Sequence, residues 1–437
     1  LRGAYYPLDE ERGTGRVILT RDKARYVLDF AALRAPDLNA DLALRDFTIN
    51  AMAVSVSHPE TLIDPLGGEA DLRAGVIRAC GPTSLSDDPV RGLRAVRLAA
   101  QFDFRIHKET REAVKREAAS LKRVSAERIR DEFVRLLGGR RPAAAIRALD
   151  MLGLLEWIVP EASTLKGVTQ SAPHAFDVWE HTLAILERLE DLLAVLGPRH
   201  DPDAAADLAL GLASVRLGRY RLPLDEHLST CLSADRPARW LLFLSAFLHD
   251  IAKPATRKLD ADGAIHFYEH DLVGAEMAAR RATRLRFSAD EVKRVRLTVN
   301  CHLRPLLLAN EATGPSRRAI YRFYRAAGEA GVDVCLLSLA DSLATWGPEF
   351  RQAEWTRMTE VVAALLKGYF EEPEQSVQPP PLLNGRDLIA HFGLEEGPLV
   401  GKLLEAIREA QAAGEVADKE AALELARVVL NQMGGLP

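Results

Sequence analysis

Three groups of residues have the types and spacing for chemistry. The run Arg45-Asp46-Phe47-Thr48-Ile49-Asn50 puts a guanidinium, a carboxylate and an amide side by side. A second block, Asp87-Asp88-Pro89-Val90-Arg91-Gly92-Leu93-Arg94, spaces Asp88 and Arg91 three apart. On a helix that interval predicts one shared face. Carboxylates hold cations and guanidinium groups hold phosphates, so both blocks suit phosphoryl chemistry that stabilises charge. Arg94 and Arg97 continue at the same interval, either to reach phosphates or to stay solvated. The third group is scattered: His181, His249-Asp250, His270, His302 and Asp341. His249-Asp250 closes the apolar run 240–248. A buried carboxylate without a partner is costly, so a divalent transition metal is its expected companion. His181 and Asp341 would complete that site, with His270 and His302 extending it to two metals. His174 and His266 are expected to support the cluster. His58, His107, His200, His227 and His391 are expected to be structural or on the surface.

These residues need elements to hold them. Short β-branched or aromatic runs at 16–20 and 26–30, split by a charged turn, predict strands. From Pro89 onward Leu93, Val96, Leu98 and Phe102 recur at helical intervals, with Ser86 as the expected N-cap. Helical periodicity then runs nearly to the end, broken mainly by prolines and glycines. Pro373 to Pro381 reads as a linker, and 383–435 as a small helical unit. The fold class is therefore α+β: a small α/β head followed by helices. The expected segments are a partial head over 1–75, a helical neck over 76–150 and a helical body over 151–350. A helix and linker over 351–382 and a helical tail over 383–437 would follow.

The composition is that of a globular protein. Of 437 residues, 48% are apolar and 27% charged. The four cysteines (Cys80, Cys231, Cys301, Cys335) form no C-x-x-C pair, against a disulfide scaffold or a cysteine zinc finger and in keeping with a reducing cytoplasm. No apolar run approaches a membrane span. The net charge of -5 conceals two basic zones. Residues 91–147 carry 16 Lys/Arg against 7 Asp/Glu, and residues 280–325 carry 12 against 3. Two such zones in an acidic chain point to a confined polyanion site.

The first two blocks, with Asp64-Pro65-Leu66-Gly67-Gly68 between them, resemble the class II tRNA nucleotidyltransferase and bacterial poly(A) polymerase family. Asn384-Gly385-Arg386-Asp387-Leu388 and Gly401-Lys402-Leu403-Leu404 resemble the C-terminal domain of its HD-bearing branch, and the histidine order resembles the HD phosphohydrolases. The resemblance implies addition of C and A to the tRNA 3′ end from CTP and ATP, with Mg²⁺ and no nucleic-acid template. It implies that Arg45 and Asn50 contact the nucleotide and that Asp46 orients Arg45 or the sugar. Asp29 would be a further catalytic carboxylate. Cytosine and adenine both present an amino donor beside a ring-nitrogen acceptor, so a carboxylate and a guanidinium from Asp88 and Arg91 would accept and donate in register. The family usually has Glu where Asp87 stands here. Lys122-Arg123 and Arg317-Arg318 are the expected tRNA contacts, and no obligate protein partner is evident.

One part of the pattern is not found. The family opens on a glycine-rich strand–turn segment and an Asp-x-Asp pair, whereas Asp22 and Asp29 stand singly and Leu1 is not an initiator Met. The expectation is that several tens of N-terminal residues are missing and that this chain transfers nucleotides poorly. Three other functions compete: a poly(A) or A-adding polymerase, a metal-dependent phosphohydrolase acting on nucleotides or 2′,3′-cyclic phosphates, and a non-catalytic RNA-binding remnant.

Overall fold

The computed structural model describes residues 3–9, 13–21, 24–199, 202–233, 236–261, 263–347 and 349–433. Asp22 and His200 lie outside the described residues. The chain divides into two compact units: Leu1–Ser125 with Met151–Trp157, and Ala126–Asp150 with Ile158–Pro437.

The first unit opens on an antiparallel sheet of β1 (Ala4–Asp9), β2 (Thr14–Arg21) and β3 (Ala24–Ala31), in that order. The predicted runs at 16–20 and 26–30 fall inside β2 and β3, paired Val17 to Leu28 and Arg16 to Asp29. Every residue of β3 is exposed. The buried cluster of this unit lies elsewhere, where Phe47, Ile77, Ala95 and Leu98 meet. Ala95 and Leu98 belong to α1 (Arg91–Phe102), whose buried face also carries Leu93 and Val96. That helix starts later than expected. Ser84–Asp87 forms its own short turn, and Asp88 is extended, with φ -147° and ψ 93°. The cause is Pro89, whose ring disfavours helical geometry in the residue before it. Asp88 and Arg91 therefore do not share a helical turn; a turn links them through the Arg91 N–H and the Asp88 carbonyl (3.0 Å).

The second unit is helical. Its centre is formed by α2 (Val178–Leu196), α3 (Arg239–Leu248), α5 (Ala289–Cys301) and α7 (Gly331–Thr345), each packed on the others or on α3. Between α3 and α5 runs α4 (His270–Arg284), and between α5 and α7 runs α6 (Arg317–Ala327). Local signals fix several starts: the Asp177 carboxylate caps α2, and Ser288 with Glu291 forms a capping box on α5. From Trp240 to Leu248, α3 is buried on every side, which explains its lack of helical polarity. After α8 (Gln352–Phe370) the proline-rich stretch is not wholly a linker. Pro373–Ser376 makes a helical turn with Ser376 buried against Gly368. Pro373 begins that turn, where its fixed φ helps and its missing N–H costs nothing. The chain ends in α9 (Gly385–Phe392), α10 (Pro398–Ala413) and α11 (Lys419–Gln432), which share a core of Leu388, Leu403, Ile407 and Leu430.

Candidate functional site

In the first unit, Asp46 is nearly buried and fully engaged. Its Oδ1 accepts the Phe47 N–H (2.8 Å) and the Asn50 amide (3.2 Å), while Oδ2 accepts from Arg94 Nη1 (3.0 Å). Asp46 thus fixes Asn50 and Arg94 rather than Arg45. Arg45 instead approaches Asp41 (3.8 Å). A second network supports the same segment. Thr48 donates to Asp71 (2.7 Å), Asp71 accepts Arg78 through both oxygens (2.9 and 3.1 Å), and Arg78 reaches His107 (2.8 Å). Burial pushes the Asp71 carboxyl up, but Arg78 and Thr48 outweigh it and hold it below its ordinary value. Gly68 makes this packing possible, because a Cβ there would lie 2.1 Å from the Thr48 carbonyl oxygen. His107, expected to be structural, is part of this support. Its partner Arg78 lies 29 positions earlier, and no motif linked the two.

Arg91 Nη2 donates to the Leu44 carbonyl (2.9 Å), and its Nη1 to the Arg45 carbonyl (3.2 Å) and the Ser84 hydroxyl (2.9 Å). It clamps the backbone that leads into Asp46. Asp29 lies on exposed β3, bound through both oxygens to Arg16 (2.7 and 2.9 Å). That hydrogen bond holds the Asp29 carboxyl below its ordinary value. Among the described residues of this unit, no three His, Cys, Asp or Glu donors converge closely enough to share an ion. Asp29 and Asp46 do not fit a Mg²⁺ site as they stand, since an arginine occupies each.

The second unit does converge. His181 comes from α2, His249 and Asp250 from the end of α3, His270 from the start of α4, His302 from just past α5, and Asp341 from α7. The ligand atoms of His181, His249 and Asp341 lie within 4.8 Å of one another, as do those of His249, Asp250 and His302. Three of the rings are oriented identically. The Nδ1 atoms of His249, His270 and His302 face the carbonyls of Ala246, Phe267 and Val299, at 2.7 to 2.8 Å and three residues back in each case. Nδ1–H donation to a carbonyl leaves Nε2 with a free lone pair, the tautomer that binds metal. The Nε2 atoms of His249 and His270, and both oxygens of Asp250, are buried without a hydrogen bond. This donor set fits a divalent transition metal.

Charge around the cluster is balanced closely. Lys253 is buried, with Nζ 2.7 Å from Asp250 and 2.6 Å from Gln170. Burial pushes the Asp250 carboxyl up, yet His249 and Lys253 hold it well below the usual range. Burial lowers the His302 imidazole to about 4, keeping it neutral. His174, also lowered to about 4 by burial, stacks edge-on against His181 at 5.3 Å. His266 pairs with Asp260 (2.9 Å) at the rim. In the sequence Lys253 stands out only as the residue before Pro254; its spacing from Asp250 was the available signal.

The expected tRNA contacts divide. Lys122 and Arg123 are exposed at the end of the 3-10 turn Ala118–Arg123. Arg318 is taken by Glu409 (3.1 Å) and Glu415 (2.6 Å) of the tail, and Arg317 reaches Gln375 (3.3 Å). His227, expected to be structural or on the surface, sits between Arg294 and buried Asp333 at 2.6 and 2.9 Å.

Four family models match the chain in order. They are the poly A polymerase head domain over 14–78, a probable RNA and SrmB-binding site of polymerase A over 103–165, the HD domain over 174–346, and a putative tRNA nucleotidyltransferase domain 2 over 363–426. The helical architecture is that of a solved CCA-adding enzyme in its apo form, with a TM-score of 0.59 and 20% identity, covering 100% of this chain and 82% of that one. Head, HD body and tail together define an HD-bearing nucleotidyltransferase of class II. The A-adding tRNA nucleotidyltransferase of Deinococcus radiodurans is 37% identical over 424 residues, 95% of this chain and 83% of that protein. The CC-adding tRNA nucleotidyltransferase of Thermus thermophilus is 33% identical over 428 residues, 97% of this chain and 83% of that protein. The chain belongs to the tRNA nucleotidyltransferase family.

Proposed function

We propose that the chain adds C and A residues to the 3′ end of tRNA from CTP and ATP. The observation that carries this reading is Asp46, in a chain of this family, holding Asn50 and Arg94 as a fixed polar edge. Arg45, Asn50 and Arg94 would bind the triphosphate and sugar, with Asp46 positioning the latter two. Asp88 and Arg91 would read the base, which requires Arg91 to release the carbonyls of Leu44 and Arg45. Enzymes of this family depend on divalent metal, and Mg²⁺ is the proposed ion. When bound it would neutralise charge on the transferring phosphate. Its ligands are not assembled among the described residues of the first unit. No described helix is long and apolar enough to cross a membrane; a cytoplasmic location is part of the proposal.

The test is transfer of label from α-labelled CTP and ATP to tRNA ending before CCA, before A, or complete. Incorporation of C and then A supports the full reading. Incorporation of A alone would make it an A-adding enzyme, long A tracts a poly(A) polymerase. No incorporation with retained tRNA binding would overturn transfer by this chain.

A specific observation favours a second activity. The Nε2 atoms and the Asp250 oxygens without hydrogen bonds support a metal site in the HD body, serving phosphoester hydrolysis. A bound metal would activate water there. Release of phosphate with Mn²⁺, lost in His249→Ala, tests it.

A further inference from the structure

The histidine cluster does not sit in a closed hole. It borders a cavity of about 310 Å³ walled by His174, Lys253, Phe267 and Trp346. A second cavity of about 440 Å³ continues it, and the two share Pro173, Leu306, Ser342 and Trp346. The near cavity is at the small end of ligand sites and suffices for one phosphorylated unit. A lone phosphate or mononucleotide leaves the far cavity without a role. Its walls have a definite chemistry: Arg351, Arg357 and Asn310, with Glu354 the one acidic residue lining it among the described residues. Arg351 and Arg357 are exposed, and the approach of Arg351 to Glu349 is long at 4.0 Å. Among the described residues Arg357 makes no ion pair. Trp346 is half-buried and lines both cavities, which places its indole between the imidazoles and the two guanidinium groups.

An imidazole–carboxylate cluster, then an indole, then paired arginines matches a phosphate, a base and a further phosphate. We propose that this groove takes the phosphorylated end of a single-stranded oligonucleotide of two or more units. The terminal phosphate faces the cluster, the last base stacks on Trp346, and the next phosphate meets Arg351 and Arg357. Stacking on an aromatic accepts any base, so the site selects length and end chemistry rather than sequence. The inference rests on the phosphoester reading of the HD body.

The test uses the full chain and a labelled trinucleotide with a 3′-phosphate, followed by anisotropy, with a 3′-phosphorylated mononucleotide as competitor. Manganese uptake is measured separately by calorimetry. The trinucleotide should bind at least roughly ten-fold tighter than the mononucleotide. Trp346→Ala should remove most of that preference. The exposed double variant Arg351→Gln/Arg357→Gln should reduce it and flatten its salt dependence, without touching a packed side chain. Equal affinities, or a preference untouched in both variants, would overturn the extended groove, and manganese uptake would then show the metal site standing alone. A trinucleotide preference abolished in the variants, without manganese uptake, would support the groove and overturn the metal reading.

Discussion

The two units treat their charges in opposite ways. In the first, three carboxylates are already satisfied: Asp29 by Arg16, Asp46 by Arg94 and Asn50, Asp71 by Arg78 and Thr48. In the second, a tighter cluster leaves buried acceptors open. Lys253 and His249 approach Asp250 at 2.7 and 3.0 Å without hydrogen-bond geometry. A closed network positions polar edges for a ligand that brings its own charge. An open one is complete only when a cation arrives from outside. The same sequence alphabet of Asp, Arg and His therefore encodes two kinds of site.

The largest effects should come from breaking the open cluster. Asp250→Ala leaves Lys253 buried without its counter-charge, and removal of one partner from a buried pair costs about 3–5 kcal/mol. A large fall in melting temperature is the expected result. Asp29→Ala removes a pair standing in solvent, and its melting temperature should match that of the parent. Equal falls would erase the contrast between the units. Metal provides the complementary measurement. Manganese at a hundred-fold excess over its Kd should stabilise the chain by about 2.7 kcal/mol, and His249→Ala should abolish the increment.

The closed network should respond in catalysis instead. Asp46→Asn keeps the size of the side chain but loses the charge that fixes Arg94. Misplacement of a positioning group on this scale costs about 100-fold in kcat, with the KM for tRNA nearly unchanged. A change confined to stability would mean that Asp46 only caps the Phe47–Asn50 turn.

Much of this was legible in the sequence, and the misses have physical causes. The HD residues were readable because their side-chain types are those that bind metal, and three of the helices presenting them, α2, α3 and α7, are strongly apolar. Their convergence on one site was expected, but the geometry was not, since it depends on packing between α2, α3, α5 and α7. The start of α1 was misplaced because helix-capping signals at Ser86 to Asp88 compete with a proline effect on Asp88. The Arg91 clamp was invisible because its acceptors are backbone carbonyls, which every residue carries. Arg318 was read as a nucleic-acid contact from local charge, while its partners Glu409 and Glu415 lie about a hundred positions further along.

A carboxylate of the second unit that is both buried and satisfied sharpens the comparison. Asp333 sits between Arg294 and His227, and although burial pushes its carboxyl up, the Arg294 charge and the His227 hydrogen bond bring it to about 2. Its ordinary value is 3.8. The folded state therefore favours the ionised form, so the stabilisation is complete above the ordinary value and fades as pH falls toward 2. The shift amounts to roughly 2 kcal/mol. Denaturant midpoints of the parent and of Asp333→Asn should differ by a constant amount from pH 7 to 5 and converge between pH 4 and 2. A difference independent of pH would assign the effect to packing.

The smallest effects concern the two basic zones, and they apply the same distinction to cations. Lys122 and Arg123 are exposed, and among the described residues they make no ion pair. Arg318 stands in a ladder in which Arg322 also meets Glu409 (2.5 Å) and Arg325 meets Glu405 (2.9 Å). To reach a phosphate, Arg318 must first leave two carboxylates. Lys122→Ala/Arg123→Ala should weaken tRNA binding and lower the salt slope by about 1 for each phosphate no longer neutralised. Arg318→Ala should leave that slope nearly unchanged. Its cost, about 0.2–1 kcal/mol for an exposed pair, should appear as faster amide exchange in α10. If Arg318→Ala instead lowers the tRNA salt slope, the ladder opens when RNA binds, and its glutamates act as a competitor that the RNA displaces.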